Sequence, residues 1–131
     1  DIMGTILDVT GADYPKEFNG HKIPTPEGRS LKSVFDKDDM PERSIFWEHE
    51  GNAAIRCGKW KMVRNFPGDW ELYDMLEDRT EITNLAGDYV EIVNSFSLEY
   101  DEWAKRCGVI PREKILEMMK QIPGTAFWEE D

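Results

Sequence analysis

Nothing in the chain narrows its fold more than Ser44–Arg64, SIFWEHEGNAAIRCGKWKMVR, where alternating side chains and two glycines turn three short runs back on one another. The pattern predicts a three-stranded antiparallel meander. Glu50-Gly51 and Cys57-Gly58 each place a glycine second in a two-residue gap, where tight hairpins demand a positive φ. Side chains alternate between faces and a one-residue slip reverses them all, so two such loops divide the stretch into two unlike surfaces. One carries Phe46, Glu48, Ala53, Ile55, Trp60, Met62 and Arg64, with its apolar members central, and is assigned to the core. The other carries Ile45, Trp47, His49, Asn52, Ala54, Arg56, Lys59, Lys61 and Val63.

That second face holds the candidate binding residues His49, Asn52, Arg56 and Lys61. Arg56, Lys59 and Lys61 beside an imidazole would suit a small anion. The competing reading is a solvated sheet face whose lysines discourage edge pairing. Trp47, with Ile45 and Val63, points instead to packing against a partner surface. The formal net charge of −11 argues against general affinity for nucleic acid or anionic membrane, so any anion site must be local.

With 131 residues the chain fits one folding unit that can bury about two thirds of its unfolded surface. Five tryptophans and 40% hydrophobic residues set it apart from disordered sequences. No apolar run approaches the ~18 residues of a membrane span, and no basic segment precedes an apolar one as in an export signal. The opening Asp1-Ile2-Met3 falls inside a helical pattern, which is expected of a processed form or an excised fragment. Two cysteines, Cys57 and Cys107, do not make a disulfide framework. They pair only if a helix end lies over a hairpin turn; otherwise both are free thiols.

Taken in order, Ile2–Val9 has a helical spacing with Gly11 as its stop. Residues 12–43, rich in proline and glycine, are expected to be loop-like apart from a short apolar turn at Leu31, Val34 and Phe35. Asp36, Asp38 and Asp39 mimic part of a calcium loop, but the glycine and terminal glutamate such a loop needs are misplaced, and solvated charge is the reading adopted. Trp70-Glu71-Leu72-Tyr73 alternates as a fourth strand. The clearest helix runs from about Tyr89 to Cys107, with Val93, Phe96, Tyr100, Trp103, Ala104 and Cys107 on one stripe, Asp88 as its cap and Gly108 as its stop. A further amphipathic segment holds Ile115, Leu116, Met118, Met119 and Ile122, followed by Pro123-Gly124 and the acid-flanked pair Phe127-Trp128. The elements sum to an α+β fold: a four-stranded antiparallel sheet with one long helix packed on it, preceded by a loop-rich N-terminal segment.

Catalytic signals are sparse. There is no phosphate-binding glycine loop and no HExxH, and His21 and His49 are too far apart for a local metal motif. Neither cysteine has a histidine close in sequence to activate it.

Several motifs together are nevertheless distinctive. Phe46-Trp47-Glu48-His49-Glu50-Gly51-Asn52, Ala54-Ile55-Arg56, Gly58-Lys59-Trp60-Lys61-Met62-Val63, Trp70-Glu71-Leu72-Tyr73-Asp74, Asp78, Glu81 and Asn84-Leu85-Ala86 resemble, in order and spacing, the C-terminal subdomain of type I sulfatases, the arylsulfatase family. Upstream, Asp1-Ile2-Met3-Gly4-Thr5 resembles that family's Asp-x-x-Pro-Thr helix, and Gly28-Arg29-Ser30-Leu31 resembles its Gly-x-Ser-Leu loop. The likeness covers about Asp1 to Trp103. Three departures stand out: Gly4 in place of proline, Ala53 in place of a common arginine, and Arg79 in place of a proline.

The resemblance implies a fragment of a larger alkaline-phosphatase-like α/β sulfatase. Residues 1–43 would be a truncated helix and linker to a missing catalytic domain, and residues 44–131 the C-terminal sheet-and-helix subdomain. Complete members hydrolyse sulfate esters with a formylglycine made from the Cys or Ser of a C/S-x-P/A-x-R motif, beside calcium. Cys57-Gly58-Lys59 and Cys107-Gly108-Val109 do not match that motif, so no catalytic residue, metal ligand or cofactor is expected in this segment. The implied partners are the catalytic domain and a sulfated small molecule or carbohydrate, with an exported, periplasmic or lumenal location by analogy. The alternative is a non-catalytic interaction module descended from a sulfatase.

Overall fold

The computed structural model describes residues 1–37 and 40–121. Asp38 and Asp39 of the calcium-like reading, and Ile122, Pro123-Gly124 and Phe127-Trp128 of the tail, lie outside the described residues. Two units result, Asp1–Glu42 and the chain from Arg43 onward.

The first unit is built on α1 (Ile2–Thr10), which ends at Gly11 as its spacing predicts. Asp1, Thr5 and Asp8 are four and three residues apart, so they share one side of the helical path. Asp1 Oδ1 accepts the Arg29 amide at 3.0 Å, Thr5 Oγ1 accepts the Leu31 amide at 2.9 Å, and Ser30 Oγ donates to Asp8 Oδ2 at 2.6 Å. The two upstream motifs thus grip each other, and their conspicuous polar residues act as clasps between helix and loop. A side chain at Gly4 would place its Cβ only 3.0 Å from the Arg29 carbonyl carbon.

Residues 12–43 are less loop-like than expected. A hairpin of β1 (Glu17–Phe18) and β2 (His21–Lys22) and a short α2 (Lys32–Asp36) lie within them. The reason is Asn19-Gly20, the strongest two-residue hairpin signal, with φ of 50° and 80°.

In the second unit β3 (Ile45–His49), β4 (Asn52–Cys57), β5 (Trp60–Arg64) and β6 (Glu71–Asp74) form the expected four-stranded antiparallel sheet in sequence order. The first hairpin closes through Glu50-Gly51, both at positive φ (54° and 90°). The second turn is corrected: Cys57 pairs with Trp60, and the loop is Gly58-Lys59. Gly58, at φ 55°, occupies the first loop position, so only one residue needs the left-handed region. Moving a two-residue turn by one position shifts pairing by two, and the division between faces is preserved.

Phe46, Ile55, Met62 and Leu72 consequently stand in one row across all four strands. Ile55, Met62 and Leu72 are completely buried, each contributing about 1.5–3 kcal/mol through burial. Over this row lies α3 (Val90–Cys107), ended by a left-handed Gly108. Ile92, Val93 and Phe96 pack on the row, Trp103 stacks on Phe46 at 5.0 Å between centroids, and Tyr100 meets Trp70 edge-on at 5.3 Å. Relative to the expected stripe, Ile92 joins it and Cys107 is exposed. Both cysteines are free. The helix start also differs: Tyr89, not Asp88, flanks it, with no side-chain cap. The Leu85 carbonyl accepts the amides of Asp88 and Tyr89, so the chain is still turning at Asp88 and swings the Tyr89 ring to 4.9 Å from Trp60. A last helix, α4 (Arg112–Met119), follows Pro111.

Ile55→Ala is expected to cost about 2–5 kcal/mol by leaving a cavity in the row, read as a lower urea midpoint at unchanged slope. Glu50→Asn should gain about 0.5–1 kcal/mol, because asparagine tolerates the left-handed region better than glutamate. The 3.8 Å Glu50–Arg112 pair it removes is solvent-exposed on the glutamate side and offsets little.

Candidate functional site

The sheet face turned away from α3 consists of parallel rows fixed by the same register. Trp47, Ala54, Val63 and Glu71 form the middle row; Ile45, Arg56, Lys61 and Tyr73 form one beside it; His49 and Asn52 pair at the far end. Four residues of strand separate Asn52 from Arg56, about 13 Å. His49, Asn52, Arg56 and Lys61 therefore share a face as two separated pairs rather than one cluster.

Two members of that set already hold protein groups. Asn52 Oδ1 accepts the Phe66 amide at 2.9 Å and so anchors the chain leaving β5. Lys61 Nζ donates to Glu81 Oε1 at 2.5 Å, both side chains largely covered. His49 and Arg56 are exposed. Lys59, expected beside them, turns to the other face: its ammonium lies 2.6 Å from Asp74 Oδ2 and 4.5 Å from the centre of the Trp60 ring. Its place in the turn, one position later than expected, frees it from the strand alternation.

The β5–β6 half of this face is closed by the segment after β6. Asp78 accepts the amides of Ile82 and Thr83, each at 2.8 Å, and these bonds hold its carboxyl below the usual range. Asn84 Oδ1 accepts the Leu72 amide at 3.1 Å, and the Leu85 amide donates to the Leu72 carbonyl at 2.8 Å, covering the outer edge of β6. Asp78, Glu81 and Asn84, all within the distinctive motif set, thus have structural work. Beneath this cover Tyr73 donates to Glu71 Oε2 at 2.7 Å, which with burial pushes its hydroxyl up to about 12. What stays open is the β3–β4 half, where Ile45 and Trp47 are nearly half exposed between His49 and Arg56.

An uncharacterized sulfatase of Schizosaccharomyces pombe is 31% identical over 108 residues, which are 76% of this chain and 19% of that protein. The chain belongs to the sulfatase family. Arylsulfatase K of Homo sapiens is 27% identical and that of Bos taurus 26%, each over 104 residues, 72% of this chain and 19% of the relative. The chain therefore spans about a fifth of the length of the curated relatives it matches. Among solved structures, Ps i-CgsB superposes with a TM-score of 0.65 at 18% identity, covering 94% of this chain and 28% of that one. BT4656, solved with its substrate D-glucosamine-2-N,6-O-disulfate, superposes with a TM-score of 0.59 at 23% identity, covering 87% and 25%. These two likenesses establish the fold. No protein-family model matches the chain.

This sulfatase subdomain does not fit the groups its family implies. Neither cysteine stands in a C/S-x-P/A-x-R setting, and among the described residues no group of three or more His, Cys, Asp or Glu is placed to hold a metal ion. No helix among the described residues is long and apolar enough to cross a membrane. The sequence reading overlooked one feature of the subdomain, a cavity on the α3 side lined by Glu48, Arg64, Tyr100 and Arg112. Its walls come from four elements, and periodicity along a chain carries no signal for that.

Because the folded-state value of Tyr73 lies above its ordinary ~10, its hydrogen bond contributes stability that is fully present below pH ~10 and lost as pH rises through 12. Ultraviolet titration of tyrosinate should show one group ionising near 12. Glu71→Gln should bring that group down toward the ordinary value.

Proposed function

We propose that the complete protein is a sulfuric ester hydrolase acting on a sulfated small molecule or carbohydrate, and that this subdomain, inactive alone, shapes one side of substrate entry. The observation that carries the reading is the sulfatase relationship across three quarters of the chain but only 19% of the relative. Nucleophile and metal would then reside in a catalytic domain upstream, where formylglycine and calcium would supply the sulfur-attacking chemistry. A carbohydrate sulfate is favoured by the fold shared with BT4656, whose substrate is a disulfated glucosamine. An exported, periplasmic or lumenal setting is part of the proposal, by family analogy alone.

Within the subdomain the open β3–β4 half carries the role. Ile45 and Trp47 supply apolar area for the catalytic domain, since a tryptophan half exposed on a sheet face gains by being covered. His49 and Arg56 at either end remain to meet the anionic substrate or its rim. Asn52 keeps the hairpin that presents His49 in place, and Lys61, neutralised by Glu81, stands cross-strand from Arg56 without competing for the same anion.

The test uses the full-length enzyme and sulfate release. His49→Ala and Arg56→Ala should each lower kcat/KM by about 10–100-fold, the equivalent of one hydrogen bond to a charged group. Stability should change by no more than ~0.5 kcal/mol, as befits exposed positions. Unchanged kinetics in both variants would remove these residues from the substrate rim.

A further inference from the structure

On the α3 side of the sheet, away from His49 and Arg56, lies a cavity of about 230 Å³, smaller than the ~300–1,000 Å³ of drug-sized sites. It is lodged between the tip of the first hairpin, the chain leaving β5, the end of α3 and the start of α4. The register supplies one wall. Glu48, Ala53 and Arg64 form a row, and the small, buried Ala53 separates a carboxylate from a guanidinium across roughly two strand spacings.

Tyr100 closes the inner end. It is only 4% exposed and lines the cavity, and among the described residues its hydroxyl makes no hydrogen bond to another group. A ligand or water in the cavity could therefore take both its donor and its acceptor capacity. The polar complement is mixed. Glu48, Asp101 and Glu113 share the lining with Arg64 and Arg112, a near balance of charge that gives a free sulfate or phosphate no net attraction. One oxygen of Glu48 already accepts the Gly51 amide at 2.8 Å, and acceptor capacity remains on the other. The floor is apolar: Phe66, Pro67, Ala104, Val109 and Ile110.

We propose that this cavity binds the ring of one uncharged saccharide unit, its hydroxyls bridging Tyr100, Glu48 and Arg64 and its C–H face resting on Phe66, Pro67 and Ile110. Alternating hydroxyls need donors and acceptors, and a sugar ring needs apolar surface beside it; the lining offers both around a volume of about 230 Å³. The proposal stands apart from the sulfatase reading, because binding is measured without hydrolysis and on the opposite side of the sheet.

The experiment is a saturation-transfer NMR and titration series on the full-length protein with glucose, galactose, mannose and N-acetylglucosamine. At least one should bind, with Kd on the order of 1 mM for so small a contact. Tyr100→Phe keeps the ring between Trp70 and Trp103 and should weaken that binding about tenfold. Ala104→Phe fills the floor and should abolish it; should that variant fail to fold, Tyr100→Phe decides alone. Absence of binding by every sugar, meaning a cavity that holds only water, overturns the proposal. Binding that Tyr100→Phe leaves unchanged overturns it as well.

Discussion

The row Phe46–Ile55–Met62–Leu72 is the constraint on which the second unit depends. Each of its four members comes from a different strand, so burying it beneath α3 requires all three connections to deliver the same parity. A slip of one residue in any strand would exchange a core side chain for a neighbour from the outer face, for instance Ile55 for Arg56. The penalty for burying an unpaired guanidinium exceeds anything the turns contribute, so the register is held by the core and the turns accommodate it. This explains why the second hairpin tolerates Lys59 in its loop and the first tolerates Glu50 at a positive φ.

The same register sorts the charged residues. Arg64 is drawn over the Trp70 ring at 4.6 Å, Lys59 over Trp60, and Lys61 into contact with Glu81. The Lys59–Asp74 pair is strongest between its two titrations: the depressed Asp74 pKa contributes stability above the unfolded carboxylate value, and the raised Lys59 pKa contributes it below the unfolded ammonium value. Across neutral pH both are charged, and a buried carboxylate at the end of β6 is compensated. The basic face expected from strand alternation therefore shrinks to Arg56 and His49. The local anion site inferred from three neighbouring cations would be a narrower one.

Much of the sheet was legible because strand alternation is a local property with a period of two. The core row, the outer face and the four-strand count all follow from it, and a one-residue shift of the Gly58 turn leaves the faces unchanged. Helix α3 was legible for a similar reason, save at its ends, where the turn at Leu85 and the exposure of Cys107 depend on what the neighbouring chain does. The Asn19-Gly20 hairpin is signalled by its turn dipeptide alone, because its two-residue strands carry no apolar alternation. The site was legible only as a face. That Asn52 is spent on Phe66, Lys61 on Glu81, and Lys59 on Asp74 required knowing where residues 14 to 20 positions away return.

Several motif residues that look chemical turn out to hold the fold. Asp1, Thr5 and Asp8 clasp residues 29–31; Asp78 organises a turn; Asn84 and Leu85 finish the edge of β6. Shared polar motifs in this subdomain thus testify to a common scaffold and carry no argument for a shared activity. Where, among the described residues, no structural partner is shown for an exposed polar side chain, as at His49 and Arg56, the described fold gives no reason for the residue. The proposal of a functional role therefore rests on the open half of the outer face, because the described polar residues of the other half serve packing, edge protection or charge compensation.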